Sequence, residues 1–157
     1  MRRAEWVLAV LGLPATAGRP ITARNATTTR AKTIIDVGDV DVLDALVPNW
    51  QLVEQVCEAV DSTGLYPYAR AGERQFDARQ FPRYSGYPED PATGIAAAAL
   101  ACALVLDGSL DLHGGPVVVR QGRAMGRPSL ITISFDSADP AVCWLGGPVE
   151  LHDGLSG

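Results

Sequence analysis

A short run of polar and turn-forming residues leads directly into the most apolar stretch of the chain. Residues 89–94 read EDPATG, and an alanine-rich, uncharged segment follows them. Proline and glycine at a helix start leave backbone N–H groups free, and the positive end of the helix dipole attracts a carboxylate or phosphate to them. Asp90 stands beside these amides. Its carboxylate either caps the helix or, if the loop lines a cleft, acts as an acid/base or holds a substrate amine or hydroxyl.

A second chemically suggestive string lies about thirty residues downstream, where residues 121–129 read QGRAMGRPS. Arg127 has two interpretations. An arginine binds a carboxylate with two parallel hydrogen bonds, so Arg127 is a candidate substrate clamp. Alternatively, Gly126 and Pro128 shape a turn in which Arg127 pairs with a neighbour.

These strings must be positioned by helices and strands that alternate without a regular βαβ pattern, so the sequence predicts an α+β fold. The segment 93–106 is apolar on every side, so we expect a central helix that is surrounded on all sides. Asn49 is a plausible cap for the helix that follows it. The other predicted helices span 4–13, 42–46 and 51–62. The predicted strands or extended segments span 21–29, 32–37, 65–68, 75–81, 116–121, 130–135 and 141–145, with 149–151 as a further candidate.

Composition restricts the class of protein. The chain has 157 residues, of which 47% are hydrophobic, and we expect one domain over 1–157 with a real core. The net charge is −5 and the basic residues are scattered, which argues against nucleic-acid binding. The uncharged stretch 91–106 is shorter than the ~20 residues that span a bilayer, so no membrane partner is expected.

Metal and thiol chemistry are not predicted either. The three cysteines, Cys57, Cys102 and Cys143, are odd in number and lack C-x-x-C spacing, so neither a disulfide scaffold nor a zinc site is expected. Cys102 lies within the apolar helix, where a cysteine is usually inert packing. Surface or turn positions are expected for His113 and His152. The tryptophans Trp6, Trp50 and Trp144 are interpreted as packing or interface residues.

The first residues resemble a signal peptide, because two arginines precede an apolar run and residues 15–17 read ATA. However, Glu5 stands where the apolar region should begin, and Pro14 ends it after only eight residues. We therefore favour an ordinary N-terminal helix within 1–18 and predict a cytoplasmic protein.

Together, EDPATG and QGRAMGRPS resemble two motifs of the PhzF-like family of phenazine biosynthesis, which has the diaminopimelate epimerase fold. The order of Arg79, Phe81 and Gly86 before EDPATG is also similar, as is the closing segment LGGPV at 145–149. The resemblance implies a curved mixed sheet or barrel wrapped around the central helix at 93–106. It covers essentially the whole chain but only the family's C-terminal half, with 1–18 as the linker helix.

By that resemblance, Asp90 faces the reacting substrate, and the amides around Thr93, Gly94 and Ile95 bind the substrate carboxylate. Ile95 departs from the family, which usually has serine there, and a lost hydroxyl hydrogen bond is worth about 0.5–1.5 kcal/mol. The family's catalytic glutamate and its G-H-P-T-type histidine belong to the N-terminal half and have no counterpart here.

The resemblance implies an isomerase that transfers a proton on a small carboxylic acid without a cofactor. Activity would then require a separate N-terminal-half polypeptide or a homodimer. The alternative is a non-catalytic small-acid binding or interaction domain left by truncation, and a third possibility is a fragment of a longer protein. A half that normally faces a sister domain should expose an apolar patch, so we expect an oligomer.

Overall fold

The computed structural model describes residues 3–13, 21–139 and 141–149. The expected α+β fold is confirmed. The described residues form four α-helices, namely α1 (Arg3–Val10), α2 (Val40–Asp44), α3 (Trp50–Ala59) and α4 (Gly94–Leu106). The strands are β1 (Thr22–Thr27), β2 (Ala31–Asp36), β3 (Gly64–Arg70), β4 (Gln75–Ala78), β5 (Phe81–Pro82), β6 (Val117–Gln121), β7 (Ser129–Phe135) and β8 (Cys143–Gly146).

The strands form one mixed sheet in the order β1-β2-β3-β4-β6-β7-β8, and β5 pairs with β3 outside this path. The pairs β2–β3 and β4–β6 are parallel, whereas the other pairs are antiparallel. Helix α4 contacts β1 and β2 at one end of the sheet and β7 and β8 at the other. Because both ends of the sheet reach the same helix, the sheet curls around α4, as the resemblance implies.

Two clusters of buried side chains lie on opposite faces of this sheet. The inner cluster joins α4 to the concave face and includes Leu100, Tyr66, Phe76 and Ile133. The outer cluster joins the convex face to α1, α2 and α3 and includes Leu11, Ile35 and Phe81. The alternation of Ile34 (inner) and Ile35 (outer) along β2 shows the two-residue period of a strand that is covered on both faces.

The central helix was expected to be surrounded on all sides, but its two ends are exposed. Residues from Ala96 to Ala101 are buried, but Ile95 is 39% exposed and Leu106 is 87% exposed. The sheet therefore surrounds the middle of α4 and leaves both ends accessible. The first accessible end is the one that follows EDPATG.

Asn49 occupies the N-cap position of α3, as predicted, but its side chain makes no capping hydrogen bond. The candidate strand at 149–151 lies mostly outside the described residues, as do residues 14–18 of the predicted linker helix.

In α1, the side chains of Val7, Leu8 and Val10 pack into the outer cluster. Among the described helices, none is long and apolar enough to cross a membrane.

Candidate functional site

Asp90 does not cap α4. The N-cap position belongs to Thr93, three residues later. One carboxylate oxygen of Asp90 accepts a hydrogen bond from the Thr93 hydroxyl at 2.6 Å, and the other accepts from the Ala92 N–H at 3.3 Å. The carboxylate is thus held in a tight local turn with Thr93, beside the helix start.

This arrangement leaves the first amides of α4 available to a ligand. The Thr93 hydroxyl makes no capping hydrogen bond to the helix, because it donates to Asp90 and accepts from Gln121. The N–H groups of Gly94, Ile95 and Ala96 have no acceptor four residues earlier within the helix. Free amides at the positive end of a 13-residue helix favour an anion.

The second motif holds the first in place. The Gln121 side-chain amide donates to the Asp90 carbonyl oxygen at 2.7 Å and to the Thr93 hydroxyl at 3.0 Å. The buried Tyr66 hydroxyl donates to the Gln121 side-chain oxygen at 2.9 Å and so fixes the orientation of the amide. Burial raises the pKa of Tyr66, and the Asp90 charge adds to that effect, so the hydroxyl remains a donor. Ser129 donates to the Pro91 carbonyl oxygen at 2.7 Å.

Gly122 allows the two motifs to approach each other. Its φ is +79°, and a Cβ atom at this position would lie 2.2 Å from the Arg127 carbonyl oxygen and 2.9 Å from that of Pro91. Both obstacles are backbone atoms, which cannot rotate away. Only glycine fits at position 122, because the backbones of EDPATG and QGRAMGRPS come into contact there.

We expect Gly122→Ala to lower the free energy of unfolding by about 1–3 kcal/mol more than Gly126→Ala, the range for overpacking. Gly126 is a matched control, because its φ is also positive, at +67°, yet no atom lies within 4 Å of its added Cβ. Both variants carry the left-handed backbone cost of about 1–2 kcal/mol. Urea denaturation of the two variants measures the difference. Equal losses would show that the close approach at Gly122 is not tightly packed.

Arg79 and Glu89 anchor the other side of the loop. Both are buried, and their side chains form two parallel hydrogen bonds of 2.9 Å. The remaining Arg79 nitrogen donates to the carbonyl oxygens of Leu43 and Leu46 at 3.2 and 2.9 Å. Next to this pair, the Asp90 N–H donates to the Gln80 carbonyl oxygen at 3.0 Å. The loop is therefore fixed on both flanks before any ligand binds.

Asp90, Thr93 and Ile95 line a cavity of about 290 Å³. Its wall also holds residues that the sequence motifs did not indicate, chiefly Lys32 and Gln80. A two-residue period places Lys32 on the same face of β2 as Ile34, which belongs to the inner cluster. The sequence feature that could have identified Lys32 was a lysine at a strand position that faces the core. The cavity is lined by Arg30, Lys32, Thr63, Gln80, Pro82, Arg83, Tyr84, Ser85, Tyr87, Asp90, Thr93 and Ile95.

The structure does not bring Arg127 into this cavity. Its side chain is exposed, and its backbone N–H donates to the Gly122 carbonyl oxygen at 3.0 Å, which closes the turn around Met125. This geometry agrees with the turn interpretation of QGRAMGRPS. The substrate-clamp interpretation of Arg127 stays a prediction.

The thiols and histidines lie elsewhere. Burial raises the pKa of Cys57 to about 11, and it also raises the pKa of Cys102, with a further increase from the neighbouring Cys143. Thiols with raised pKa values stay protonated near neutral pH, which supports a packing role. His113 lies in an exposed turn, as expected, and His152 lies outside the described residues. Within 3–13, 21–139 and 141–149, no cluster of side chains is suited to a metal ion.

A larger cavity of about 420 Å³ lies near the opposite end of α4, where Leu104 and Asp107 contribute to its wall. Its charged groups already have protein partners. Arg24 pairs with Asp107, and Arg70 donates to the Glu73 carbonyl oxygen at 2.7 Å. The charged groups of the larger cavity are therefore less available to a ligand than those of the smaller cavity beside Asp90.

Apolar side chains are exposed close to the start of α4. A Cβ atom on Gly94 would lie 3.1 Å from Leu145, which is 49% exposed, and Ile95 is exposed beside it. Trp144 and Leu130, on the same two terminal strands of the sheet, are 64% and 43% exposed. In β8, Leu145 pairs with Ile133 of the inner cluster and Trp144 pairs with Ser134, so Trp144 and Leu130 lie on the opposite face of the sheet. We call the two remaining residues, Ile95 and Leu145, the apolar rim. Exposed apolar groups at a site edge are typical of an association surface.

Comparisons with known proteins agree with this geometry. Residues 3–153 match the family described as phenazine biosynthesis-like protein, PhzC-PhzF. An uncharacterized isomerase from Deinococcus radiodurans is 33% identical over 100 residues, which are 62% of this chain and 32% of that protein. The uncharacterized isomerase YddE from Escherichia coli K12 is 31% identical over 117 residues, or 73% of this chain and 39% of that protein.

The name of a third relative states the reaction that it catalyses. Trans-2,3-dihydro-3-hydroxyanthranilate isomerase from Pseudomonas fluorescens is 34% identical over 97 residues, or 62% of this chain and 33% of that protein. Among solved structures, a predicted epimerase from Pseudomonas aeruginosa superposes with a TM-score of 0.73 and 24% identity, over 92% of this chain and 48% of that one. The chain thus spans between a third and a half of the length of these proteins.

Proposed function

Because the chain belongs to the PhzC-PhzF family of phenazine biosynthesis-like proteins, we propose that it is the half-enzyme or subunit of an isomerase. It moves a proton between carbon atoms of a small carboxylic acid without a cofactor. The observation that carries the proposal is the position of Asp90, which shares one cavity with the free amides of α4. An acid/base group beside an anion-binding site is what proton abstraction from a carboxylic acid requires.

Each residue of the junction has a role in this proposal. The amides of Gly94 and Ile95 bind the substrate carboxylate, and Asp90 takes or returns the proton. Thr93 orients the Asp90 carboxylate through its 2.6 Å hydrogen bond. The Ile95 side chain lines the cavity without a hydroxyl, so it contributes apolar contact where the family resemblance implies a serine hydrogen bond.

With two proton-transfer groups, one residue removes the proton at one carbon while the other returns a proton at the second carbon. Asp90 is the one carboxylate among the described residues that line the cavity. We propose that the second group comes from a facing domain, either an N-terminal-half polypeptide or another copy of this chain. The apolar rim supports this proposal, since Ile95 lines the cavity and both Ile95 and Leu145 are exposed.

Exchange of substrate protons with deuterated solvent tests the proposal. The purified chain is incubated in D₂O with trans-2,3-dihydro-3-hydroxyanthranilate, the acid named for the Pseudomonas fluorescens relative, and with a panel of small carboxylic acids. Proton NMR follows the loss of each substrate C–H signal as deuterium replaces the proton. We expect exchange from a dimer, or after addition of a polypeptide corresponding to the N-terminal half of the Escherichia coli relative.

Size-exclusion fractions distinguish the outcomes. Monomeric fractions should give no exchange, and rapid turnover by a monomer would contradict the need for a facing domain. If neither assembly exchanges a proton of any acid tested, the isomerase proposal is wrong.

A second candidate function is a non-catalytic small-acid binding domain. The cavity is built wholly from this chain, and its cationic wall favours an acid without help from a partner. This alternative predicts that small acids bind with the same affinity to wild type and Asp90→Asn, while neither assembly exchanges protons.

A further inference from the structure

Positive charge predominates in the wall of the cavity. Arg30, Lys32 and Arg83 line it together with a single carboxylate, Asp90. Arg83 pairs with Glu58 at 2.7 Å, which lies outside the lining. Lys32 is different, because only 7% of it is exposed and its ammonium makes no hydrogen bond or ion pair with any residue in the described part of the chain. A largely buried lysine whose charge has no partner in the described part of the protein favours an anion in the adjoining cavity.

The pKa of Lys32 is consistent with its burial. Burial lowers its pKa, and Arg30 lowers it further, whereas Cys57 and Asp90 oppose the shift. Asp90 is close enough to influence Lys32 but does not form an ion pair with it. A ligand anion in the space between them would supply the compensating charge that the protein does not.

Gln80 gives an independent indication of a ligand. It is 1% exposed, it lines the same cavity, and neither its side-chain nitrogen nor its oxygen has a hydrogen-bond partner in the described structure. The backbone of Gln80 forms an antiparallel bridge with Asp90, which fixes the position of both residues. Buried amide groups are almost always satisfied, so an unsatisfied amide on a residue in the wall of a cavity indicates a missing partner.

We propose that the acid bound in this cavity carries a second anionic group, and that Lys32 and Gln80 bind it. The ligand is a small dicarboxylate, with one carboxylate on the α4 amides beside Asp90 and the other on the Lys32 ammonium and the Gln80 side-chain N–H. The volume of about 290 Å³ limits it to a small molecule. This inference rests on the proposed function, since it defines the substrate class of the same site.

The chain offers a direct reporter, because Lys32 is its only lysine. The full chain is labelled with lysine carrying ¹³C at Cε, and its single lysine signal is followed by NMR. Malonate, succinate, glutarate and adipate are titrated against monocarboxylates of equal carbon number, from propionate to hexanoate. We expect at least one dicarboxylate to bind tenfold or more tightly than its matched monocarboxylate and to shift the Lys32 signal.

Substitutions complete the test. Lys32→Met keeps the length of the side chain and removes its charge, so it should reduce the tenfold preference to less than twofold, as measured on backbone amide signals. Gln80→Leu should weaken the same dicarboxylate at least threefold. Arg3→Met removes an exposed positive charge outside the cavity and should leave the preference unchanged.

Two results would overturn the inference. One is that no dicarboxylate binds more tightly than its matched monocarboxylate. The other is a preference that Lys32→Met retains, which would place the second carboxylate elsewhere. These measurements concern binding and not turnover, so their failure would leave the isomerase proposal standing. Conversely, a clear dicarboxylate preference without proton exchange in any assembly would reject the isomerase and keep the ligand class.

Discussion

Glu89→Ala is expected to lower the free energy of unfolding by about 3–5 kcal/mol, the usual effect of removing one partner from a buried ion pair. Arg79 and Glu89 are 7% and 8% exposed, so solvent cannot replace the lost carboxylate. The guanidinium would stay charged inside the protein, because arginine does not lose its proton at accessible pH. Urea or thermal denaturation followed by circular dichroism measures the loss.

A matched surface pair provides the control. Arg123 and Asp44 form an ion pair of 2.6 Å whose side chains are 46% and 39% exposed. Exposed pairs contribute about 0–1 kcal/mol, so Asp44→Ala should change stability by no more than that. If Glu89→Ala does not fold, Glu89→Gln retains an acceptor for Arg79 and should show a smaller loss. Similar effects of Glu89→Ala and Asp44→Ala would mean that the Arg79–Glu89 pair is not structurally important.

The Arg79–Glu89 pair also matters for the site, because it connects three parts of the chain. Arg79 follows β4, Glu89 directly precedes Asp90, and the carbonyl groups of Leu43 and Leu46 belong to α2 and the residues after it. On the opposite flank, Gln121 holds the Asp90 carbonyl oxygen. The position of the Asp90 carboxylate is therefore set by the fold and not by the ligand, as a preorganised catalytic group requires.

The fold could largely be predicted from local patterns. The uncharged run that became α4 is too apolar for a surface helix, and the β-branched segments that became β2 and β6 are typical strands. The exposed ends of α4 could not be predicted in this way. Whether Ile95 is covered depends on where the curled sheet ends, and that depends on the pairing of β7 with β8.

The candidate site was only partly predictable. The motifs identified Asp90 and the amides of α4, which are adjacent in sequence. Lys32 and Gln80 reach the same cavity through long-range sheet pairing: β2 lies parallel to β3, and Gln80 is bridged to Asp90. Local patterns do not specify such pairings. The lysine among the apolar residues of β2 was a visible anomaly, but its neighbours could be identified only in the folded chain.

The spacing of the two motifs acquires a physical explanation in the structure. Gln121 and Asp90 are 31 residues apart, and α4 with β6 fills the interval, so the chain leaves the site along the helix and returns along the strand. QGRAMGRPS then supplies hydrogen bonds and close packing to EDPATG, through Gln121, Gly122 and Ser129. The first motif provides the chemistry and the second one provides its support.

Asp90→Asn is expected to reduce the rate of substrate proton exchange by at least about 100-fold, within the 10²- to 10⁴-fold range of general acid/base catalysis. Asparagine has nearly the same shape, and its side-chain oxygen still accepts the hydrogen bond from Thr93. The loop should therefore keep its structure, while the group that takes the proton is lost. The exchange assay in D₂O, on whichever assembly is active, measures the rate.

The comparison with binding and with a matched variant shows whether this loss is chemical. Asp41→Asn makes the same substitution at an exposed position in α2, outside the cavity, and should leave the rate unchanged. Ligand affinity should change less than threefold in Asp90→Asn, because the α4 amides and Lys32 that bind the acid are untouched. A rate within a factor of three of wild type would remove Asp90 from the mechanism. A parallel loss of rate and affinity would instead make Asp90 a binding group, since only an interaction confined to the transition state lowers the rate alone.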